Sequence, residues 1–417
     1  MEDVVELAYA LDTFYFLLSG ALVMWMAAGF TMLEAGMVRA KNTTEILTKN
    51  IGLYSIAVIM YMLIGWNLMY ESGGGIAGLL PTFNFLLPAS EPFTPEMARA
   101  GEESASYFSD FFFQVVFVAT AMSIVSGAVA ERMKLWPFLI FAVVLTGFIY
   151  PIQGLWSWGG GFLAEIGFAD FAGSSIVHMA GASAALAGVL VLGARKGKYG
   201  PKGEVRAIPG TNMPLAALGT FILWLGWFGF NGGSELSVSS AGAANAVATI
   251  FMNTNLAAAG GVVAALLLSR ALFGKADLTI ALNGAIAGLV SITAGPDTPS
   301  PLLAAIIGGV GGVLATFSIV ALDKLRIDDP VGAISAHGTA GIWGTLAVLL
   351  SNPDATFGAQ IAGILSIFAF VFLASLIVWL ILRFTIGIRA SEEAEQNGLD
   401  VSECGMEAYP DFTGTRS

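Results

Sequence analysis

The chain contains two histidines, His178 and His337, and both fall inside apolar stretches long enough to cross a membrane. Each follows an aspartate by eight residues: Asp170 precedes His178, and Asp329 precedes His337. Neutral imidazole carries one donor and one acceptor nitrogen, so two facing rings share a hydrogen bond and still offer a polar edge to a small solute. A single histidine at that depth reads as a hydrogen-bonding residue between helices. Two at matching depths read as the lining of a polar route, because ionisable groups inside a membrane are costly and turn toward the bundle interior. Zinc chemistry is not expected, since the apolar stretches hold no third His or Cys and zinc sites need three or more protein ligands. The one cysteine, Cys404, lies in the polar tail, which excludes an intramolecular disulfide and a thiolate cluster.

The elements that must position these rings follow from composition. With 56% hydrophobic and 12% charged residues, against roughly 25% charged in a soluble domain, the chain requires lipid as solvent. Its 51 glycines, in an apolar context, suit closely packed helices. Long apolar stretches of roughly 20 residues predict eleven spans, at 11–38, 50–70, 108–130, 135–154, 172–193, 212–231, 244–270, 277–295, 301–322, 331–350 and 358–388. The fold class is an all-α polytopic membrane protein. His178 sits in the fifth span and His337 in the tenth, which run in opposite directions. Such a correspondence marks an inverted repeat of helices 1–5 and 6–10, with an eleventh helix in addition.

Basic residues gather on one side, as cytoplasmic loops do. Arg39, Lys41, Lys49, Arg132, Lys134, the Arg195–Arg206 group, Arg270, Lys275, Lys324, Arg326, Arg383, Arg389 and Arg416 share that side, and only Arg99 of the 18 opposes them. The N-terminus is therefore expected outside and the C-terminus in the cytoplasm. The first ten residues lack a basic n-region, so the first span reads as a retained helix. Every lysine is expected in a loop. The other side carries Glu71, Glu91, Glu96, Glu102, Glu103, Glu165, Asp170 and Glu235, read either as a solvated acidic face or as a weak enrichment of cations near a mouth. Expected domains are a transmembrane body at 1–388, with repeats at about 1–200 and 207–350 and helix 11 at about 358–388, and a cytoplasmic tail at 389–417. Within the tail, Ser391-Glu392-Glu393 through Gly398 has helix-start and helix-stop chemistry, predicting one short helix and then an extended end.

Several stretches together resemble the ammonium transporter (Amt/Rh) family, Amt type. These are Asp170 through His178, Asp329 through His337-Gly338, Gly226 through Ser234, Phe113 through Phe117, Trp158-Gly159-Gly160-Gly161, and Gly127 through Arg132. They cover nearly the whole chain in the family's order. The resemblance implies a homotrimer with one pore in each subunit. It implies an outer recruitment site of Phe117, Trp158 and Ser234, where aromatic faces attract a cation at about 0.5–2 kcal/mol per contact. It further implies a gate of stacked Phe117 and Phe230, and a pore lined by His178, His337, Trp227 and Phe113. Asp170 reads as a helix N-cap, a role that coexists with electrostatic support of the cation. Glu131 and Arg132 read as a structural charge pair, and Glu34 as a pairing or interfacial group; neither is placed in the site. The tail around Leu399 to Tyr409 resembles the family's tail, which packs across subunits, with Cys404 where relatives commonly carry His. A PII-type regulatory protein at the cytoplasmic face is a partner that the resemblance suggests and the residues do not specify.

The implied function is ammonium transport across the cell membrane, in which the cation is recruited, deprotonated, and passed as ammonia beyond the twin histidines while the proton crosses separately. An ammonium sensor, an Rh-like gas channel or a pore for a neutral solute such as urea are the alternatives. The short tail argues against a sensor, and the Trp158 and Ser234 cup argues against a neutral-solute pore. No cofactor is expected. An enzyme reading lacks a phosphate-binding glycine loop, a nucleophile set and a metal cluster. A net charge of −12 does not suit a nucleic-acid binder.

Overall fold

The computed structural model describes residues 2–70, 78–90, 94 and 104–410. Glu71, Glu91, Glu96, Arg99, Glu102, Glu103 and Arg416 lie outside the described residues. Among the described residues, nine helices are long and apolar enough to cross a membrane, and two shorter apolar helices join them. In chain order they are α1 Val4–Met37, α2 Ala40–Met69, α3 Tyr107–Ala128, α4 Leu135–Leu155, α5 Ser174–Leu192, α6 Met213–Gly233, α7 Ala241–Phe273, α8 Leu278–Ile292, α9 Pro301–Lys324, α10 Ile334–Leu350 and α11 Phe357–Thr385. Among the described residues no strand forms, only two isolated bridges. This is the expected answer to hydrocarbon, where each backbone polar group must be satisfied within its own segment. Side chains finish the helix starts: Asn212, Ser240, Asp277, Ser300 and Thr356 each accept from a first-turn N–H.

One boundary moves. α2 begins at Ala40 and not near residue 50, so Lys49 lies in a helix and not in a loop. The chain tolerates it there because Lys49 Nζ meets Glu45 one turn earlier at 2.5 Å, both side chains being fully buried. The opposed charges let the helix carry a lysine that hydropathy alone rejects.

Glycine sets how closely the helices approach. Along the α1–α6 seam, a Cβ on Gly219 would stand 2.2 Å from Leu33 N, and one on Gly229 would stand 2.6 Å from Ser19 O. A Cβ on Gly308 of α9 would meet the Ala257 carbonyl of α7 at 2.0 Å. Backbone against backbone is thus the contact in both halves. Outward, Leu365, Leu373, Ile377 and Ile381 of α11 are all more than half exposed, an apolar stripe fit for lipid.

The repeat is visible in detail. Asp170 and Asp329 each precede a glycine with positive φ, Gly173 at +102° and Gly332 at +79°. A π-helical turn follows each, Ser174–Met179 and Ile334–Thr339, and each turn carries its histidine. The left-handed backbone at these two glycines is one that side chains rarely adopt.

The end of α3 corrects two expectations. Glu131 does not pair with Arg132; it meets Arg39 at 2.7 Å and Arg195 at 3.1 Å. Arg195 also grips Asp328, with Nε to Oδ2 at 2.9 Å and Nη2 to Oδ1 at 2.9 Å. Arg132 donates instead to the carbonyls of Ala128, Ala130, Gly193 and Asp328. The second expectation concerned Glu34, which neither pairs with a basic group nor reaches an interface but is buried between α2 and α3, accepting from Asn50 and Ser126.

The tail forms the helix expected of it, α12 Glu392–Asn397, capped by Ser391. A π-helical turn, Asp400–Cys404, follows where an extended end was expected. That turn is held because Asp400 accepts from Glu45 N at 2.8 Å, Glu403 accepts from Leu135 N at 3.0 Å, and Leu399 N donates to Asn42 Oδ1 at 2.9 Å. Glu395 joins α12 to Arg389 at 2.7 Å and to Lys196 N at 2.6 Å.

Burial opposes the Glu131 and Asp328 charges, but Arg195 and its neighbours overcome it and hold both carboxyls below their ordinary values. Stability from carboxyls so depressed is present above the unfolded value of about 4 and is lost as pH falls through the folded one. Replacing Arg195 by Met leaves the buried Asp328 carboxylate without its ion pair and Glu131 with Arg39 alone. Thermal unfolding in detergent at pH 7 should then show a loss of about 3–5 kcal/mol, and the difference from the native chain should shrink below about pH 4.

Candidate functional site

Five of the expected site residues, Trp158, Phe117, Phe230, His178 and His337, form one column of rings through the bundle, with Trp227 stacked against it. At one end, Trp158 in the α4–α5 loop donates from Nε1 to the Asp170 carbonyl at 3.1 Å and presents its edge to Phe117 of α3, centroids 6.0 Å apart at 84°. Phe117 stacks on Phe230 of α6 at 4.0 Å and 29°. That separation is ring contact, without room for a hydrated ion between the faces. Phe230 lies 5.2 Å from His178, and His178 lies 5.2 Å from His337, each pair at 28°. Trp227, one turn from Phe230, stacks on His178 at 4.8 Å and 22°, its Nε1 fixed by Thr293 Oγ1 at 2.8 Å.

Phe113 stands beside the column. It packs on Phe117 at 4.8 Å and on Phe16 at 5.4 Å, which fixes the Phe117 ring from behind. Ser234, just beyond α6, donates its hydroxyl to the Phe230 carbonyl at 2.9 Å. The column also has a member that sequence reasoning missed: Phe30 of α1 lies 5.9 Å beyond His337 at 33°. No motif names it, and its helical spacing to the buried Glu34 is the signal that could have found it.

The two imidazoles meet through Nδ1 and Nδ1, 3.2 Å apart, on fully buried rings. One proton lies between these nitrogens, so one ring donates and the other accepts. The neutral pair therefore has linked tautomers: the donor ring keeps a bare Nε2, and its partner carries the Nε2 proton. Among the described residues, Nε2 of His178 has no hydrogen-bond partner. Buried polar atoms are nearly always satisfied, which makes this nitrogen the place where a small hydrogen-bonding solute would be held.

Asp170 accounts for the geometry of the first ring. Its Oδ1 accepts from Gly173 N and Ser174 N at 3.2 and 2.7 Å, and Oδ2 accepts from Ser175 N and Ile176 N at 2.8 and 2.9 Å. This is the N-cap the spacing predicts, doubled in capacity. Burial pushes its carboxyl up to about 6, against the pull of the four N–H groups. Asp329 repeats the arrangement with Val331, Gly332 and Ile334. The two halves are pinned together beside the rings by Ser175 Oγ and Thr345 Oγ1 at 2.6 Å, and a Cβ on Gly341 would meet the Ser174 carbonyl at 2.5 Å.

Comparison with known proteins gives one answer at every level. The model of the Ammonium Transporter Family matches residues 14–409. This chain belongs to that family. It is 40% identical over 437 residues to ammonium transporter Amt2 of Archaeoglobus fulgidus, covering 97% of this chain and 90% of that one. Amt1 of Methanocaldococcus jannaschii is 35% identical, with 96% and 97% covered. Among solved structures, a sensor Amt protein superposes with a TM-score of 0.87 at 34% identity, covering 95% of this chain and 99% of that one. The crystal structure of Candida albicans Mep2 gives 0.83 at 27%, with 99% and 94% covered.

Truncating Asp170 to Ala leaves four N–H groups at the start of α5 without their acceptor. Thermal unfolding should show a loss of at least about 3 kcal/mol, with Asp170→Asn losing less because one acceptor oxygen remains.

Proposed function

We propose that this protein transports ammonium across the cell membrane, with its N-terminus outside and its C-terminus in the cytoplasm. The observation that carries the reading is the continuous ring column ending in two hydrogen-bonded imidazoles, in a chain whose curated relatives are named ammonium transporters. Residues 1–388 form the transporting body and 389–417 the tail. Three copies assemble, each with its own passage, and the tail with the basic inner face is where a PII-type protein would bind.

Phe117, Trp158 and Ser234 recruit the cation. A bare ammonium ion faces an idealised Born cost on the order of 20 kcal/mol in an apolar constriction, so it gives up its proton there. Phe117 and Phe230 close the way to water. Trp227 and Phe113 hold the walls, and ammonia passes His178 and His337 by trading hydrogen bonds with their Nε2 edges. The proton crosses separately through the imidazole pair, which makes transport electrogenic. Asp170 positions the first ring and adds a negative field at the entrance.

A second reading keeps the same site without flux. A solved structure named as a sensor Amt protein matches this fold closely, and a sensor would bind ammonium at the column and pass little of it. Uptake of ammonium by a transport-deficient cell carrying this chain decides between them, since a sensor does not restore growth.

Three outcomes are expected of transport. Ammonium pulses on reconstituted protein should give a current; uptake without charge movement would leave only a gas channel. Replacing Trp158 by Leu should weaken apparent affinity by roughly 2- to 30-fold, the equivalent of one cation–π contact. Replacing His178 or His337 by Glu should admit potassium, and unchanged discrimination between ammonium and potassium in flux assays would count against a filtering role for the pair.

A further inference from the structure

Among the buried carboxylates of the described residues, all but one have an evident structural duty. Asp12 holds Val238 and Ser239 N–H, Glu45 pairs with Lys49, Glu131 and Asp328 bind Arg195, Asp170 caps its helix, Glu395 pairs with Arg389, and Asp400 caps α2. The exception is Glu34, 1% exposed. Its two oxygens accept from Ser126 Oγ at 2.7 and 2.9 Å, and Oε2 also accepts from Asn50 Nδ2 at 2.8 Å. Among the described residues, no basic side chain forms an ion pair with it; the neighbouring Lys49 is taken up by Glu45 and by the Met133 carbonyl at 3.1 Å. A buried carboxyl group with neutral partners must either bear an uncompensated charge or hold a proton.

Its location gives that proton a use. Glu34 and His337 line the same small cavity, together with Phe30, Leu33, Ser123 and Val331, and at about 10 Å³ it has room for one water at most. Val331 and Asn283 in turn line a second cavity of about 760 Å³, bordered by Arg195, Asp323 and Asp329. Glu34 thus shares a cavity with His337, and two residues of that cavity's wall also border the wide space on the basic side of the bundle. Room for its carboxyl group is kept by Gly127 of α3, where a Cβ would lie 3.1 Å from Oε1 and 2.5 Å from Val331 Cγ2.

We propose that Glu34 is the proton acceptor beyond the histidine pair, receiving through one water the proton that His337 gives up and releasing it into the larger cavity. The proposal rests on the electrogenic reading above. The steps balance. An N–H bond of ammonium breaks, and its electron pair remains on nitrogen as ammonia. The freed proton bonds to His178, and the pair passes one proton onward for each it receives. The carboxylate is protonated and then regenerated on release, so one ammonium delivers one ammonia and one proton.

The test uses the full-length protein in liposomes with a pH-sensitive dye inside, following current and lumenal pH after an ammonium pulse. Native protein should give current with little alkalinisation. Glu34→Gln should lose at least tenfold in current while the lumen turns alkaline, because ammonia then enters without its proton. Ser123→Val fills the water-sized gap with methyl groups and should do the same with the carboxylate intact. Native-like current in Glu34→Gln overturns the proposal. Should that variant fail to assemble, Ser123→Val decides alone: retained current overturns the proposal, and lost current with alkalinisation upholds it. If the native protein itself alkalinises the lumen and carries no current, it is the electrogenic reading that fails, whatever the variants do.

Discussion

Two imidazole nitrogens 3.2 Å apart in a buried interior impose the strictest demand in this molecule. The bond joins rings from helices in different halves of the chain, and it exists only if both rings are placed to within a few tenths of an ångström. Each half meets the demand with the same device: an aspartate gathers the first N–H groups, a left-handed glycine turns the chain, and a π-helical turn delivers the ring. The Ser175–Thr345 contact and the side-chain-free surface of Gly341 then fix one helix against the other. Aromatic stacking extends this order outward through Phe230 and Phe117 and inward to Phe30.

The remaining polar chemistry is concentrated where it does not disturb that column. Arg195 ties the residues after α3 and α5 to the segment before α10, and Arg132 satisfies carbonyls from the same three places. The tail adds a third layer, since Asp400 and Glu403 accept from N–H groups near the starts of α2 and α4. Helix-to-helix contact in between is made by glycine and alanine, so the bundle gains its rigidity from backbone proximity, while among the described residues the ion pairs gather on the basic face.

Much of this was legible in the sequence. Apolar length gave the helices, because hydrocarbon leaves few alternatives, and the spacing of Asp170 and Asp329 to the histidines disclosed the repeat. Resemblance then picked Phe117, Phe230, Trp158 and Trp227 out of 29 Phe and 9 Trp, and the geometry joined them. What could not be read was partnership. Glu131 neighbours Arg132 in the chain yet binds Arg39 and Arg195, because a charge buried at a helix end chooses partners by tertiary distance. Lys49 looked like a boundary because hydropathy counts a lysine as a break and ignores a neutralising Glu45 one turn away. Phe30 was overlooked, and Glu34 was read as a pairing or interfacial group, for a related reason: on a long apolar helix, nothing in one dimension says which face looks inward.

The π-helical turns carry a consequence for how this protein can change. Each successive helical residue rotates about 100° around its axis, and a π turn accommodates one more residue than the α turn it replaces. Removing or inserting one residue between Gly173 and His178, or between Gly332 and His337, would therefore swing the ring away from its partner with every side chain otherwise intact. In these two short segments the number of residues is as strict a requirement as their identity.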